Sequence, residues 1–339
     1  MDLKQFITLM PKVELHVHLE GAIQPATLLK LAQKHNIDLP ANDEAGLREW
    51  YKFKDFPHFV EVYLKISSCL RRAEDIELIT KEFLAGQAEQ NIRYSEVTYT
   101  AYTHYKFRQI AFEDQLAAIN RARVWASKEY GVKMGLIIDI ARNISPEEGL
   151  LIADWVIGAK DKGVVALGLG GPEAGHPPEL HQAAFEKVLE AGIASIPHAG
   201  ETAGPASIWG ALKSLQAKRI GHGVRCLEDK ELVAYLKEHQ IPLEVCPTSN
   251  VCLKVAGSIN QHPLPKLLDA GLYITINSDD PPMFNTTLTN EFWQVANNFH
   301  LSQTELENLT INALQASLLD REEKEKMFAD LKNEFRQLA

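Results

Sequence analysis

The segment Val13-Glu-Leu-His-Val-His18 is a short, mostly apolar run followed by a stretch long enough for helices. Seven more runs of this kind recur along the chain, each separated from the next by a segment of helical length. Strands that alternate with helices form a parallel sheet, and eight of them predict a closed (β/α)8 TIM barrel rather than an open doubly wound sheet. No GxGxxG motif follows the first run to support the open sheet. The predicted strands are Val13–His18, Ile92–Tyr99, Met134–Asp139, Val164–Leu169, Ser195–His198, Arg219–His222, Leu243–Cys246 and Tyr273–Ser278.

Two regions exceed what a simple barrel repeat needs. The insert Gln24–Gln90 between strands one and two predicts extra helices over the barrel mouth. Its aromatic residues within Tyr51–Tyr63 are expected to pack in a core, with a lid over a bound ring as the alternative. The segment Leu301–Ala339 predicts a charged helical tail outside the barrel, and Ser302-Gln-Thr-Glu305 indicates a capping box at the start of its first helix. The predicted helices between the later strands are Phe185–Ala191, Ile208–Gln216, Lys230–His239 and Leu264–Ala270.

The composition, 45% hydrophobic and 24% charged, is that of an ordinary globular protein, and a single barrel domain over residues 1–339 fits the length. With 45 acidic against 35 basic side chains the formal charge is −10, which argues against nucleic acids or anionic membranes as partners and favours small, neutral or cationic ligands. The start of the chain, MDLKQFITLMPK, is too short and polar for a secretory signal, and no run approaches the about 20 apolar residues of a membrane span. We therefore expect a cytoplasmic protein. The four cysteines lack CxxC spacing, so we expect neither a zinc ribbon nor a redox pair. We expect the cysteines to be in the reduced thiol form and to serve mostly in packing.

Polar residues lie at the carboxyl ends of four predicted strands, which a barrel brings together around its mouth. In His16-Val-His18 the alternation of a strand places both imidazoles on one face, where they can share one ion. The other three clusters are His198-Ala-Gly-Glu201, Gly221-His222-Gly223 and Ser278-Asp279-Asp280. Three histidines and a carboxylate can form a zinc site, which leaves Glu201, His222 and Asp280 to act on water and substrate.

Each of these motifs alone has an ordinary structural explanation. A lone histidine on a strand is usually a satisfied structural residue, and Asp279-Asp280 alone would be a turn or a helix cap. The coincidence of four polar clusters at four strand ends favours the metal site. The other histidines are expected either to be surface or packing residues near helices, or to lie in loops where a substrate contact is open. The first group is His35, His58, His181, His239 and His300, and the second is His104, His176 and His262.

Six motifs, in order along nearly the whole chain, resemble those of the adenosine deaminase family of metal-dependent amidohydrolases. They are Val13-Glu-Leu-His16-Val-His18-Leu-Glu20-Gly21-Ala22, Gly168-Leu-Gly-Gly171-Pro-Glu173, His198-Ala-Gly-Glu201, Ile220-Gly-His222-Gly223, Cys246-Pro-Thr-Ser249-Asn250 and Asn277-Ser-Asp279-Asp280-Pro281. The resemblance implies that His16, His18, His198 and Asp279 hold a single zinc ion, with a water or hydroxide completing its shell.

The resemblance also implies roles around a bound purine. Glu201 is the implied proton donor to N1, and His222 the implied orienter of the attacking hydroxide. Asp280 is the implied partner of N7, and the Gly171 N–H that of N3. The implied substrate-binding residues are His18, Glu20, Gly171 and Asp280.

Deamination of a 6-aminopurine needs these residue types. A bound zinc lowers the pKa of its water toward about 7 and so supplies hydroxide at neutral pH. Attack at C6 is feasible only if N1 is protonated as negative charge arrives, and Glu201 is placed to donate that proton and then to carry one to the leaving ammonia. His222 and Asp280 add charge stabilisation around the tetrahedral intermediate. The His/Cys/Cys cytidine deaminases are built differently, and their HxE and PCxxC spacings are absent from this chain.

The sugar end departs from the family pattern. Glu20 stands where adenosine deaminases usually have an aspartate, in a role that resembles a hydrogen bond to the ribose 5′-hydroxyl, and Gly171-Pro-Glu173 replaces the typical Gly-Asp-Glu. Adenine deaminases share the glutamate but tend to carry Asp-His-Gly where this chain has Gly221-His222-Gly223. Some relatives with similar loops resemble deaminases of aminodeoxyfutalosine, an adenosine derivative that carries an aryl acid beyond the 5′ carbon.

Adenosine or 2′-deoxyadenosine, hydrolysed to the inosine-type product and ammonia, is the substrate that we predict first, because the purine-contacting positions are intact. A 5′-modified adenosine such as aminodeoxyfutalosine, or free adenine, is the alternative. The 5′ side is open if Glu20 points away or pairs with a cation such as Arg225. A barrel hydrolase of amides, esters or phosphates is a second class, against which Glu201 and Asp280 argue for a purine. A non-catalytic binding protein is a third, but no ligand position is lost.

Overall fold

The computed structural model describes residues 1–338, and these form eight parallel strands that follow one another in chain order around a barrel. The predicted (β/α)8 TIM barrel is confirmed. All but the last residue of β1 are buried, as expected for strands covered on both faces. The strands are β1 (Lys12–His18), β2 (Ile92–Tyr99), β3 (Lys133–Ala141), β4 (Val164–Gly170), β5 (Ala194–Ala199), β6 (Ile220–His222), β7 (Leu243–Val245) and β8 (Ile274–Ile276).

The barrel closes between β8 and β1 at a junction that we call the seam, formed by β1 and residues 277–279. The Asp279 N–H donates to the His16 carbonyl at 3.1 Å, and the Asp279 carbonyl accepts the His18 N–H at 2.9 Å. β8 is shorter than predicted because the side chain of Asn277 replaces a backbone partner, its Oδ1 accepting the Leu15 N–H at 2.9 Å. The two ends of the barrel are therefore joined at the residues that the sequence singles out as metal ligands.

Helices cover the outside of the barrel. The four helices predicted between the later strands are present, at Gln182–Glu190, Pro205–Lys213, Lys230–His239 and Leu264–Asp269. The helices are α1 (Leu3–Leu9), α2 (Pro25–Lys34), α3 (Glu44–Trp50), α4 (Phe56–Ser67), α5 (Ala73–Glu89), α6 (Ala101–Arg108), α7 (Phe112–Tyr130), α8 (Pro146–Gly158), α9 (Gln182–Glu190), α10 (Pro205–Lys213), α11 (Lys230–His239), α12 (Pro247–Cys252), α13 (Leu264–Asp269), α14 (Leu288–Phe299), α15 (Gln303–Ala316) and α16 (Arg321–Leu338).

The insert between β1 and β2 forms α2 to α5, so the predicted extra helices are present. α5 packs on β2 and α7 and serves as the barrel helix of this unit. α4 lies at the mouth, where Phe56, Phe59 and Tyr63 line the main cavity. The core prediction is confirmed for Tyr51, Phe53 and Phe59, which are buried, and is incomplete for Phe56 and Tyr63 because α4 turns one face toward the cavity.

The tail begins as predicted. The Ser302 hydroxyl accepts the Glu305 N–H, and the Glu305 carboxylate accepts the Ser302 N–H at 2.7 Å, which is a complete capping box. α15 then packs against the outside of the barrel at β8 and β1.

A buried chain of charged groups runs inside the barrel. The guanidinium of Arg219 donates to Glu96, to Glu244 and to the Ala316 carbonyl at the end of α15. Glu244 also accepts a hydrogen bond from His16 Nδ1 at 2.8 Å. Buried charges persist in a protein interior when each is paired in this way. The tail is thereby connected through two side chains to the first histidine of the predicted metal site.

The described part of the chain has neither a membrane-length helix nor a disulfide. No helix in residues 1–338 is both long and apolar enough to cross a bilayer. The four cysteines are free, and Cys69, Cys226 and Cys246 are buried, as predicted for packing residues. The assignment of the chain to a single domain stays a prediction.

Candidate active site

The four predicted metal ligands come together at the carboxyl ends of the strands. His16 and His18 lie on β1, His198 lies on β5, and Asp279 lies in the seam. One donor atom from each lies within 4.8 Å of those of the other three. His18 Nε2 is 3.1 Å from His198 Nε2 and 3.4 Å from Asp279 Oδ1, while His16 Nε2 is 3.6 Å from the same oxygen.

The donor atoms fit a divalent metal. His16 Nδ1 donates to Glu244, so the lone pair of Nε2 faces the cluster, and no hydrogen-bond partner for Nε2 exists among residues 1–338. The ring nitrogens His18 Nε2 and His198 Nε2 lie 3.1 Å apart, so one metal ion could accept a lone pair from each of them. Three imidazoles and one carboxylate form a donor set that zinc favours, and a carboxylate behind a ligating histidine is the usual way to orient it.

Two residues of the site hold a strained backbone. His222 and Asp279 have φ angles of 62° and 65°, the left-handed region that residues other than glycine rarely adopt. Such outliers persist where the surrounding structure fixes them, and they concentrate at functional sites. Here the strain turns the side chains of both residues toward the cluster, with His222 Nε2 3.8 Å from Asp279 Oδ2.

Glu201 and His222 face each other beside the metal cluster. His222 Nε2 is 3.8 Å from Glu201 Oε1, and both side chains are buried. Burial, with the charges of Asp279 and Glu173 adding to it, raises the pKa of Glu201 well above its usual range. The position of Glu201 therefore favours the protonated form of its carboxyl group, which is the form that a proton donor needs.

His222 is oriented by two further side chains. Asn250 Nδ2 donates to His222 Nδ1 at 3.3 Å, and the Asn250 Oδ1 accepts from His262 Nε2 at 3.0 Å. These two hydrogen bonds hold the ring of His222 so that its Nε2 faces the metal cluster. His262, for which a substrate contact was open, is thus a buried support for Asn250 and lies outside the residues that line the cavity.

Glu173 fixes the loop that carries Glu201. Its carboxylate accepts the backbone N–H groups of residues 200 to 203 and the hydroxyl of Ser207. Burial alone would raise the pKa of Glu173, but these donors and the charge of Arg142 hold it below its usual value. Arg142 is itself buried and donates to the His198 carbonyl.

Asp280 and Gly171, the predicted purine contacts, both line the cavity. Burial, with Asp279 as the next cause, raises the pKa of Asp280 well above its usual range, and its Oδ1 has no partner among residues 1–338. A Cβ on Gly21 would lie 1.6 Å from that oxygen, so only glycine leaves room for Asp280. Gly171 has a φ of 87°, which glycine adopts without strain.

The cavity over this cluster has a volume of about 330 Å³, within the range of small-molecule sites. Its inner end is lined by His18, His198, Glu201, His222, Asp279 and Asp280. Its outer end reaches Tyr102, Lys106, Phe107 and Glu148. The cavity therefore extends well beyond the reacting groups.

Glu20 does not line this cavity. Its Oε1 accepts the Thr100 N–H at 3.1 Å and His104 Nε2 at 3.0 Å, and its Oε2 accepts the Tyr63 hydroxyl at 3.2 Å. His104, predicted to lie in a loop, is a fully buried residue of α6 because it pairs with this carboxylate. The suggested pairing of Glu20 with Arg225 is wrong, since Arg225 binds Glu228 at the surface.

Sequence reasoning missed Asp139 as a site residue. It lies on β3, is 3% exposed, and lines the cavity beside Thr100 and Gly170. Burial, with the charge of Glu20 adding to it, raises the pKa of Asp139 to about 7. The signal was present, because the third predicted strand ends at this residue. Lys106 and Tyr63, on helices outside the strands, carried no such signal.

The family model described as adenosine deaminase matches residues 11–334. The chain belongs to the adenosine deaminase family. It is 39% identical over 338 residues to an aminodeoxyfutalosine deaminase of Streptomyces avermitilis, covering 97% of this chain and 92% of that protein. It is 36% identical over 328 residues to an adenine deaminase of Chlorobium phaeobacteroides, covering 96% and 97% of the two chains. The crystal structure of a Burkholderia ambifaria amidohydrolase with bound zinc matches with a TM-score of 0.92 at 26% identity, covering 100% of this chain and 94% of that one.

The family resemblance read from the motifs and the predicted enzyme class are both confirmed. This member of the adenosine deaminase family is a hydrolase that acts on C–N bonds. The family is one of metal-dependent amidohydrolases, and the donor atoms of the histidine and aspartate cluster are close enough together to hold one metal ion. The identity of the metal and the roles of the individual residues stay predictions.

Proposed function

We propose that the chain hydrolyses the 6-amino group of an adenine nucleoside whose 5′ carbon carries an extension, of the aminodeoxyfutalosine type, with one zinc ion held by His16, His18, His198 and Asp279. The observation that carries this proposal is the outer end of the cavity, which continues past the reacting groups to Tyr102, Lys106 and Phe107. The overall reaction adds water at C6, forms a C–O bond, breaks the C6–N bond and releases ammonia.

The inner end of the cavity supports the chemistry. A bound zinc supplies hydroxide at neutral pH by lowering the pKa of water. Glu201, whose burial raises its pKa and so favours the protonated form, donates to purine N1 as C6 is attacked and afterwards carries a proton to the leaving amine. Asp280 faces N7, where a protonated carboxyl can donate, and the Gly171 N–H faces N3. His222 stabilises the charge that develops beside the cluster.

The surroundings of Glu20 argue against a simple 5′-hydroxyl contact. Both of its oxygens already accept hydrogen bonds, and Tyr63 lies between its Oε2 and the cavity. A 5′-hydroxyl would therefore compete with donors from the protein. The Glu20 contact with substrate stays a prediction, and a substrate that gains its affinity elsewhere along the 5′ side fits this wall better.

The outer end has the groups that an aryl acid needs. Lys106 Nζ lies 5.5 Å from the ring centre of Tyr102 and 5.9 Å from that of Phe107, and it binds Glu148 at 2.5 Å. Phe107 is 59% exposed, which leaves a large aromatic face for a ligand ring to cover. A carboxylate on that ring would meet the ammonium of Lys106, which the substrate would share with Glu148.

Free adenine is the second candidate. The adenine deaminase of Chlorobium phaeobacteroides is nearly as similar to this chain as the Streptomyces relative, and the internal hydrogen bonds of Glu20 are compatible with a substrate that has no sugar. Adenosine itself, the substrate predicted first from the motifs, fits the inner end and leaves the outer end unused. The three substrates differ in how much of the cavity they fill.

The test is a comparison of kcat/KM for aminodeoxyfutalosine, adenosine and adenine. Each reaction is monitored through the loss of the absorbance of the 6-amino chromophore. We expect kcat/KM to be highest for aminodeoxyfutalosine, lower for adenosine and lowest for adenine. Lys106→Met should lower kcat/KM for aminodeoxyfutalosine by about 10-fold, the effect of one charge-assisted contact, and should leave adenosine within about 2-fold. Lys128→Met, at an exposed position of α7, is the matched control. A preference for adenine over both nucleosides would overturn the proposal.

A further inference from the structure

We infer that Asp139 is a specificity-determining residue that accepts a hydrogen bond from a sugar hydroxyl of the bound nucleoside. This inference rests on the proposed function, because it assigns a recognition role for the nucleoside sugar to a residue that neither the motifs nor the family comparisons single out.

Asp139 lies at the inner end of the cavity. In the parallel pairing of β3 with β4, Asp139 lies opposite Gly168, and its side chain reaches the space above Gly170. A Cβ on Gly170 would lie 2.9 Å from Asp139 Oδ2 and 3.9 Å from His198 Cε1. A side chain at Gly170 would therefore crowd the carboxyl group of Asp139, and glycine leaves that group its space in the wall.

One oxygen of Asp139 has no partner in the protein. Its Oδ1 is buried, and no donor from residues 1–338 lies within hydrogen-bond distance. A buried acceptor left unpaired costs stability, so its retention indicates a partner that binds from outside the chain. Asp280 in the same site also has an unpartnered oxygen, whereas four deeply buried carboxylates elsewhere in the barrel are satisfied by protein donors. They are Glu14, Glu96, Glu244 and Glu291.

The wall around Asp139 contains no cation to neutralise it. Its neighbours are the hydroxyl of Thr100 and the carboxylate of Glu20, and Lys106 is the only lysine or arginine among the described residues that line the cavity. Lys106 lies at the outer end, bound to Glu148. The Thr100 hydroxyl and the backbone N–H of Asp139 are donors to this carboxyl group, but they leave Oδ1 without a partner. A ligand can supply the donor for that oxygen in the form of a hydroxyl or an N–H group.

The position of Gly171 selects the sugar as the source of that donor. Gly171 follows β4, the neighbour of β3, and its N–H is the group predicted to meet purine N3. The N3 edge of a purine adjoins N9, which carries the sugar of a nucleoside. A purine held at Gly171 thus directs its sugar toward the side of the cavity where Asp139 lies, and a ribose offers two hydroxyl donors there.

Four substrates test the inference: adenosine, 2′-deoxyadenosine, 3′-deoxyadenosine and adenine. In the wild type, the nucleoside that lacks the contacted hydroxyl should have a kcat/KM lower than that of adenosine by about 10- to 100-fold, as for a charge-assisted hydrogen bond. Asp139→Ala should lower kcat/KM for adenosine by the same factor. It should change the values for adenine and for the insensitive deoxynucleoside by less than about 2-fold. Asp139→Asn, which keeps an acceptor oxygen, should restore part of the loss.

Product binding gives a readout that does not require turnover. The dissociation constants of inosine and hypoxanthine, measured by calorimetry, should show Asp139→Ala weakening inosine by about 10-fold and leaving hypoxanthine unchanged. The melting temperature and the metal content of each variant show whether it is folded and contains metal. If Asp139→Ala does not fold, Asp139→Asn is compared with the wild type in its place. An equal loss for every ligand in an active enzyme would overturn this inference alone. A wild type that deaminates no nucleoside would overturn it together with the proposed function.

Discussion

The carboxylate of Glu173 accepts the backbone N–H of Glu201 at 3.0 Å, and the same carboxylate accepts the neighbouring N–H groups of residues 200, 202 and 203. The proposed general acid is thus held by a second carboxyl group, Glu173, whose lowered pKa favours the ionised form. Glu173→Gln replaces an acceptor by an amide that cannot accept from all these donors. We expect kcat to fall by about 10- to 100-fold and the free energy of unfolding to fall by about 1–3 kcal/mol, with the metal retained.

Kinetics, thermal unfolding and metal analysis of Glu173→Gln are measured together. Glu186→Gln, an exposed position on α9, is the control. Unchanged kcat in the variant would show that the loop holds its position without Glu173.

Glu201→Gln separates proton transfer from binding. The amide keeps the size of the side chain but cannot protonate N1, so kcat should fall by at least about 100-fold. Metal content and the dissociation constant of the product should stay close to those of the wild type. Near-normal turnover would remove Glu201 from the mechanism.

The purified protein should contain about one zinc per chain, because the cluster offers one full set of four donors. Prolonged chelation should abolish activity and lower the melting temperature, and added zinc should restore both. Elemental analysis after gel filtration measures the content. An active preparation without any transition metal would contradict the prediction.

Glu291 on α14 should make the protein less stable as the pH rises above 4.5. Burial raises its pKa from 4.5 to about 7, while its carboxyl group binds Thr248 and Thr286. Between these values the folded chain keeps a proton that the unfolded chain has lost, so the free energy of unfolding falls with increasing pH, by at most about 3 kcal/mol for this group.

In Glu291→Gln this contribution is absent, so the drop in melting temperature from pH 5 to pH 8 should be smaller than in the wild type. Glu238→Gln, at an exposed position of α11, should behave like the wild type. Identical pH profiles for Glu291→Gln and the wild type would show that Glu291 ionises in the folded chain as it does in water.

The strands and the predicted metal cluster were accessible from the sequence for the same reason. Parallel strands buried on both faces appear as apolar runs, and the carboxyl end of each run marks a position at the mouth of a barrel. Asp139 obeys this rule as the last residue of the third predicted strand. It was passed over because a single aspartate, unlike His16 and His18, forms no local pattern.

Other features depend on contacts that no local pattern encodes. The pairing of Glu20 with His104 joins the end of β1 to α6, and the placement of Arg219 between Glu96 and Glu244 depends on three strands meeting inside the barrel. The position of α4 is set by packing of its aromatic face, so its sequence indicates a core helix while its structure also lines the cavity.

The seam makes the cluster of donors one of the last parts of the barrel to be completed during synthesis. The ribosome delivers His16 and His18 with the first strand, but Asp279 follows only after the eighth, so a nascent chain carries an incomplete ligand set and an unpaired edge on β1. An ion held by the full set would link the earliest and latest strands, so metal binding and closure of the barrel would stabilise each other.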